Sequence, residues 1–285
     1  MAIAAQPEWL RAVPADRALP PARVVYTGCG TSFHAAQTGG DAVQALELVL
    51  RPERDADVLV ALSHEGTTPL TLEAVRAWRG ERWLVTGAAE SPLVALSHKV
   101  VLATPEIESS WCHTASYTCA VAALAAMRGE DVSWLVGAVE EALAGERFAV
   151  SAHERWLVAG AGRDWPTAQE AVLKLREGAW VAAEAYETEQ LLHGYLAAVD
   201  ESVRAFVLEG EGRAAARSRA ACAALRELGC DATLVPTVHP VVDIVRFQLL
   251  TVDLADARGA EPDRIRRHDE RWQRAAAAAR ADDAA

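Results

Sequence analysis

The sequence contains one short pattern twice, and this repeat limits the folds open to the chain more than any other feature. In each copy an apolar stretch runs into a glycine-rich turn, after which apolar residues recur at helical spacing. The same 132 positions separate Gly28 from Gly160 and Gly30 from Gly162. A strand, turn and helix that recur at a fixed spacing predict two related α/β halves in one chain.

Strand and helix patterns alternate along both halves. The predicted strands are residues 23–27, 57–62, 82–86 and 99–103 in the first half, and residues 156–159, 203–208 and 231–235 in the second. The predicted helices are residues 33–50, 69–79 and 166–186, with a helix-rich stretch at 116–145. This alternation predicts mainly parallel sheets, whose ligands gather at the carboxyl ends of the strands.

The length of 285 residues fits one large domain or two modest ones. The repeat favours two domains joined by a helical connector. We therefore expect an N-terminal segment at residues 1–21, a first domain at 22–150, a second domain at 151–260 and a helical tail at 261–285.

Charge and composition narrow the classes of partner. The formal net charge is −12, which repels a phosphate backbone, so we expect no nucleic-acid partner. No apolar run reaches the ~18–20 residues of a membrane span, and the N-terminal stretch lacks the apolar segment of a signal peptide. We therefore expect a cytoplasmic protein that collects any anionic ligand locally, through hydroxyls and backbone N–H groups in a cleft.

Neither a cofactor nor a metal is expected. The first glycine turn lacks the third glycine of a dinucleotide-binding loop, because Phe33 occupies that position. The five cysteines are scattered without a C-x-x-C pair, which is typical of reduced, buried thiols. A metal site of His64, Cys112 and His113 is an alternative that the adjacency of Cys112 and His113 disfavours.

Two polar loops in the first half each follow a predicted strand and precede a predicted helix. Loops of this kind converge at one edge of a parallel sheet, where hydroxyls and N–H groups bind phosphate. A chain reversal alone would explain the glycines but not the density of hydroxyls. The candidate binding residues are Gly30, Thr31 and Ser32 in the first loop, and Ser63, His64, Gly66, Thr67 and Thr68 in the second.

Three charged residues share one stripe of the predicted helix in the second half. Glu170, Lys174 and Glu177 stand at positions i, i+4 and i+7. A solvated face with salt bridges would explain them. The apolar neighbours instead indicate burial, which would raise the pKa of a carboxyl group and suit it to act as a general base. His193, which precedes Gly194, is open between a structural and a catalytic role.

These motifs together resemble the sugar isomerase (SIS) family, in particular the isomerase domain of glucosamine-6-phosphate synthase. The most specific part of the likeness lies in residues 165–177, 183–186 and 192–194. Residues 29–32 and 62–68 resemble the sugar-phosphate loops of the family, and the likeness covers residues 22–265. It implies two flavodoxin-like, three-layer αβα halves and a homodimer or larger homo-oligomer with shared active sites.

The resemblance also implies roles for single residues. Glu177 corresponds to the base that moves a proton between sugar carbons 1 and 2, and His193 to a histidine of the neighbouring subunit that assists ring opening. Lys174 and Glu170 fall on further active-site positions of the same helix. The positions that correspond to phosphate contacts are Ser32, Ser63 and Thr68, and His113 and Thr114 fall in the third ligand loop.

The departures from the family are informative. No glutaminase domain precedes Val24, so we do not expect glutamine to be the nitrogen source in this chain alone. Residues 263–271 contain no lysine where the family has its Schiff-base lysine, which argues against amination through an imine. Glu65 adjoins the expected phosphate, where like charges repel. Either His64 and His113 donate to the phosphate, with Glu65 turned away or paired with them, or the ligand is not phosphorylated in the usual way.

Two hypotheses about function follow. In the first, the chain is an enzyme that isomerises a sugar phosphate between its aldose and ketose forms, or removes nitrogen from an amino or glycated sugar phosphate. In the second, it is a non-catalytic sensor of sugar phosphates. The set of Lys174, Glu177 and His193 favours the enzyme, whereas the missing tail lysine favours the sensor.

Overall fold

The protein has two parallel β-sheets, one in each half. The computed structural model describes residues 2–279, so residue 1 and the last part of the expected tail, residues 280–285, lie outside the described residues. The first sheet contains β1 (Val24–Gly28), β2 (Ala42–Gln44), β3 (Val58–Leu62), β4 (Glu81–Thr86) and β5 (Lys99–Leu102). The second contains β6 (Arg155–Gly160), β7 (Ala182–Glu187), β8 (Val203–Leu208) and β9 (Asp231–Val235).

The strand orders are β2-β1-β3-β4-β5 and β7-β6-β8-β9, and all pairs are parallel. The first is the flavodoxin-like order, and the second repeats it without a fifth strand. The predicted α/β class with two mainly parallel sheets is therefore confirmed. The strands themselves explain this arrangement. β3 is apolar and buried along its whole length, and β8 is buried along its whole length and apolar apart from Arg204, as is typical of strands covered on both faces.

The described part of the chain contains twelve α-helices. In the first half and the connector they are α1 (Ala2–Arg11), α2 (Thr31–Gln37), α3 (Ala45–Leu50), α4 (Pro69–Ala77), α5 (Pro92–Leu96), α6 (Ala115–Met127) and α7 (Leu135–Ala144). In the second half they are α8 (Trp165–Ala179), α9 (Thr188–Leu192), α10 (Gly212–Glu227), α11 (Pro240–Arg258) and α12 (Glu270–Ala278). Several begin at or next to a proline, which fits the first turn because its N–H has no helical partner.

The single helix predicted at residues 33–50 is wrong. The chain leaves α2 after Gln37, and residues 42–44 form the edge strand β2 alongside β1 before α3 begins. Gly39 and Gly40 cause the break: a Cβ on Gly39 would lie 2.6 Å from the ring of Tyr26, and Gly40 has a φ of 137°. Neither position accepts an ordinary helical residue, so the apolar residues of two short elements only simulate one helical stripe.

The helix predicted at residues 166–186 ends early. Trp180 adopts the left-handed conformation directly after α8, and residues 182–187 form the strand β7 at the edge of the second sheet. Alanine and glutamate favour helix intrinsically, but these preferences amount to tenths of a kcal/mol per residue. The hydrogen bonds that β7 makes with β6 outweigh them.

The two halves share their largest apolar core. Residues of both sheets, of α1 and of the connector helix α7 contribute to one continuous buried cluster. Helix α6 is buried at every position except Ala120, and α8 packs on α11. Within residues 2–279, no helix combines the length and the apolar character that crossing a membrane requires.

Candidate functional site

A cavity of about 600 Å³ opens at the carboxyl end of the first sheet. Its walls include the loops after β1 and β3, the start of α6 and one residue of α8, so both halves of the chain contribute. The cavity brings together most of the residues that sequence reasoning singled out. Those that line it are Gly30, Thr31, Ser32, Ser63, His64, Thr67, Thr68, His113 and Glu177.

The loop after β1 turns tightly against α2. A Cβ on Gly28 would lie 2.8 Å from the backbone carbon of Ser32, and Gly30 has a φ of 55°. Both positions therefore require glycine. The tight turn brings Thr31 and Ser32 to the cavity at the start of α2.

The loop after β3 is closed by its own hydroxyls. Ser63 Oγ lies 3.1 Å from Thr68 Oγ1, which links the two ends of the loop. Gly66 does not line the cavity, although it was predicted to bind ligand. It is buried with a φ of 69°, and a Cβ there would lie 2.0 Å from Ser91 Oγ. Gly66 thus shapes the loop from behind.

Lys174 forms a buried network beneath the cavity. Its ammonium group lies 2.7 Å from Glu177 Oε2 and 3.3 Å from Glu170 Oε1, and it donates to Thr31 Oγ1 at 3.2 Å. Three acceptors match the three N–H donors of an ammonium group. The network links α8 of the second half to the first loop of the first half. It also holds Glu177, which is partly exposed to the cavity.

The electrostatics of this network differ from the sequence expectation. Burial raises the pKa of Glu170, but Lys174, His34 and Thr31 together outweigh burial and lower it. The raised carboxyl pKa expected from the apolar neighbours is therefore wrong at Glu170. Burial likewise lowers the pKa of Lys174, but the carboxylates raise it well above its ordinary value. Lys174 stays protonated, so it holds carboxylates in place and is no nucleophile.

Two residues that support the cavity from behind, His34 and Glu108, were not identified from the sequence. His34 of α2 lies 2.7 Å through Nδ1 from Glu170 Oε2. Glu108 is buried and accepts hydrogen bonds from the backbone and hydroxyl groups of Thr114 and Ser116 at 2.7–2.9 Å. Burial raises the pKa of Glu108, but His113, Ser116 and Thr114 outweigh it and lower the value to about 2. Glu108 thereby fixes the start of α6, where Ser116 lines the cavity.

Thr114 was predicted to bind ligand, but it is absent from the cavity wall. Its side chain is buried, and both its N–H and its hydroxyl donate to Glu108 Oε1. These bonds satisfy its donors. Thr114 therefore supports the site and does not face it.

The two histidines of the cavity differ in their freedom to donate. His64 Nε2 accepts a hydrogen bond from the backbone N–H of Glu108 at 2.8 Å. Burial, and to a smaller extent the nearby His113, lowers the pKa of His64 to about 4. His64 is thus neutral at pH 7 and keeps only Nδ1–H as a donor. His113 packs edge-on against His64 and lies 3.8 Å through Nδ1 from Glu108 Oε2, beyond hydrogen-bond distance.

The segment before α12 covers part of the cavity. Ile265 and Arg267 line it, and the guanidinium of Arg267 lies 3.4 Å from the ring centroid of Trp111, another wall residue. The backbone N–H of Trp111 donates to Asp263 O at 2.8 Å and ties the segment down. Cation–π contact of this kind stabilises a cation at an aromatic wall. The sequence analysis assigned no residue here to the site.

His193 and Glu65 complete the predicted set. His193 is exposed at the end of α9 and does not line the cavity of its own chain. Glu65 does line the cavity, beside His64 and Thr67.

The five cysteines are free thiols, four of them buried. Within residues 2–279, no group of three or more His, Cys, Asp or Glu residues has the arrangement of a metal site.

Known proteins resemble this chain in sequence and in fold. It is 29% identical to the glutamine–fructose-6-phosphate aminotransferase (isomerizing) of Aeropyrum pernix, over 86% of this chain and 50% of that protein. The C-terminal domain of glucosamine-fructose-6-phosphate aminotransferase from Francisella tularensis superposes with a TM-score of 0.75 and 20% identity, over 92% of this chain and 96% of that chain. The resemblance to the sugar isomerase family is confirmed.

A glucosamine-6-phosphate deaminase from Thermotoga maritima has the same sugar isomerase fold, with a TM-score of 0.74 and 19% identity, over 92% of this chain and 95% of that chain. At such identities a shared structure shows the fold alone. The chain spans about half the length of the curated aminotransferases it matches. No family model matches the chain.

Proposed function

We propose that the chain binds a sugar phosphate in the 600 Å³ cavity and catalyses proton transfer between sugar carbons 1 and 2. The reaction would be aldose–ketose isomerisation, or hydrolytic removal of nitrogen from an amino or glycated sugar phosphate. The observation that carries the proposal is that one cavity joins two hydroxyl-bearing loops to the carboxylate of Glu177.

The loops and the carboxylate suit different parts of such a ligand. Hydroxyls of Ser32, Ser63 and Thr68 can donate to phosphate oxygens without a net positive surface. Glu177 is held by Lys174 at 2.7 Å, which orients its carboxylate, and its side chain is partly exposed at the cavity wall. One base within reach of two adjacent carbons is what a 1,2-proton transfer requires.

His193 would act in the cavity of a second subunit. It is exposed and lies away from the cavity of its own chain, so a role in catalysis needs a partner that brings it in. The proposal therefore includes a homodimer or larger homo-oligomer with shared sites. Ring opening is the step that a histidine can assist, because it can transfer a proton near neutral pH.

The position of Glu65 raises the question of whether the ligand is phosphorylated. Its carboxylate lines the cavity next to the second loop, where it would repel a phosphate group. Thermal unfolding with pairs of phosphorylated and unphosphorylated sugars, 2-amino forms included, separates the two cases. A ligand at ~100 times its Kd adds about 2.7 kcal/mol to the free energy of unfolding, which raises Tm by several degrees. The proposal expects this rise only with the phosphorylated member of a pair. A rise only with unphosphorylated sugars would contradict it.

A non-catalytic sensor is the second candidate. The observation in its favour is that Ile265 and Arg267 of the tail line the cavity, while residues 263–271 contain no lysine that could form an imine. A sensor would bind the same sugar phosphate without turnover. If the wild-type protein binds a sugar phosphate and converts none that it binds, the sensor is favoured.

A further inference from the structure

A second cavity of about 550 Å³ adjoins the first. Glu177 and Ile265 line both cavities, so they stand at the junction. A sugar whose reacting carbons lie at Glu177 therefore has the second cavity directly beside those carbons. A substituent on a nitrogen at carbon 1 or 2 would therefore extend from the sugar into the second cavity.

The walls of the second cavity combine aromatic surface with positive charge. Its described lining includes Trp180, Trp272, Arg176 and Arg266, and Glu177 is its only acidic residue among those described. The guanidinium carbon of Arg266 lies 4.1 Å from the ring centroid of Trp180 and 4.2 Å from that of Trp272. Stacked contact occupies the faces of a guanidinium group and leaves its N–H groups at the edge, where they can donate to a carboxylate.

Backbone strain is concentrated in the same wall. Trp180, Ile265 and Arg266 have φ values of 56°, 42° and 60°, and they are the non-glycine residues with positive φ in the described chain. All three line the second cavity. Such conformations are unfavourable for residues that have a side chain, and they occur preferentially at ligand clamps and other functional sites. The strain is an observation independent of the cavity's shape and charge.

We propose that the second cavity binds a carboxylate-bearing substituent on the nitrogen of the substrate. The substrate class is then a glycated amino acid phosphate, in which the nitrogen on the sugar is the amine of an amino acid. The indole rings would cover the carbon chain of the substituent, and the edge of Arg266 would bind its carboxylate. This inference rests on the proposed function, because it places the sugar in the first cavity.

The test compares two ligands that differ in one carboxylate. N-carboxymethyl and N-ethyl derivatives of the same 1-amino-1-deoxyfructose 6-phosphate are titrated calorimetrically into the full chain. We expect the carboxymethyl derivative to bind at least about tenfold more tightly, as for one hydrogen bond to a charged group. Arg266→Gln should remove most of this difference and leave the N-ethyl derivative unaffected. Arg274→Gln is the matched control, because Arg274 is an exposed α12 arginine outside the cavity wall.

Each other outcome overturns a defined part of the argument. If the wild-type protein binds both derivatives with equal affinity, the inference is overturned, and no variant is needed to show it. A preference that survives Arg266→Gln also overturns it, since the carboxylate then binds elsewhere. If the unsubstituted amino-sugar phosphate binds and both derivatives do not, the second cavity does not accept a substituent, although the proposed function stands. If no sugar phosphate binds at all, the proposed function itself fails.

Discussion

Glu108 shapes the cavity without lining it. The carboxylate reaches six to eight residues ahead and binds the N–H groups and hydroxyls at the start of α6. Helix-capping side chains usually lie within three residues of the groups they bind. No sequence rule therefore points to Glu108, even though its contacts fix Ser116 and Thr114. The spacing rules do identify Glu170, Lys174 and Glu177, because these share one helix.

Replacing Glu108 with Gln should lower the free energy of unfolding in a pH-dependent way. The ordinary pKa of 4.5 falls to about 2 in the protein, which corresponds to roughly 3 kcal/mol of stability at pH 7. A lowered folded-state pKa means that this contribution is fully present above pH 4.5 and is lost as the pH falls from 4.5 towards 2. Urea unfolding of wild type and variant at pH 7 and pH 3.5 measures it. A stability difference that is the same at both pH values would contradict this account.

Glu65 is expected to oppose a phosphorylated ligand. Two unit charges ~4 Å apart repel by about 1 kcal/mol in water, and by more in a partly dry cavity. Glu65→Gln should therefore tighten binding of a hexose 6-phosphate several-fold, as measured by calorimetric titration. Glu73→Gln provides the control, since Glu73 is exposed on α4 and does not line the cavity. Weaker binding after Glu65→Gln would mean that Glu65 contacts an amine or hydroxyls of the ligand.

At the scale of elements, the close packing of α8 on α11 positions Glu177 and Lys174. Gly178 permits this approach, because a Cβ there would lie 2.4 Å from Thr251 Cγ2. Gly178→Ala should lower stability by about 1–3 kcal/mol through overpacking, despite the ~1 kcal/mol that alanine gains over glycine in a helix. Gly137→Ala in α7 should instead raise stability, since its Cβ would meet nothing within 4 Å.

A second substitution isolates the contact. Thr251→Ser removes the methyl group that the Cβ added by Gly178→Ala would meet, and it keeps the hydroxyl that donates to Phe247 O at 2.9 Å. The double variant should therefore be more stable than the sum of the single changes in free energy of unfolding predicts. Strict additivity would show that the two side chains do not compete for the same space.

The strands show which elements could be predicted from the sequence and which could not. The strands β3 and β8 are apolar along most of their length, and β4 contains the buried apolar run Trp83–Val85. All three are confirmed at nearly the predicted positions. The edge strands β2 and β7 were missed, because Ala42–Gln44 and Ala182–Glu187 lack the apolar run of a covered strand. Neighbouring strands and tight glycine contacts determine these segments, and such contacts are long-range. The loops after β1 and β3 converge as expected, since parallel strands end at one edge.

At the scale of the whole molecule, neither half forms the site alone. The first half contributes both hydroxyl loops and the second contributes Glu177, and a shared apolar core joins them. The segment at residues 265–267 then covers the cavity from the far end of the sequence. The helical composition of the tail suits packing across the cleft or a dimer contact, but the sequence does not indicate which tail residues line the cavity.

Shared sites predict complementation between inactive variants. If His193 acts in the cavity of a second subunit, Glu177→Gln and His193→Gln are each inactive, but mixed dimers contain one site with neither change. Random exchange of subunits in an equal mixture should restore about a quarter of the wild-type sites. Turnover is measured after refolding the variants together. A mixture as inactive as its components would contradict the shared site.

The most direct test of the central claim is deuterium exchange at sugar carbons 1 and 2. The protein is incubated in D₂O with any sugar phosphate that raises its Tm, and the carbon-bound hydrogens are followed by NMR. The account predicts deuterium incorporation by the wild-type protein, and incorporation slowed at least ~100-fold by Glu177→Gln while the ligand still binds. Unchanged exchange in the variant would remove Glu177 as the base. Binding without any exchange in the wild-type protein would contradict the enzyme and favour the sensor.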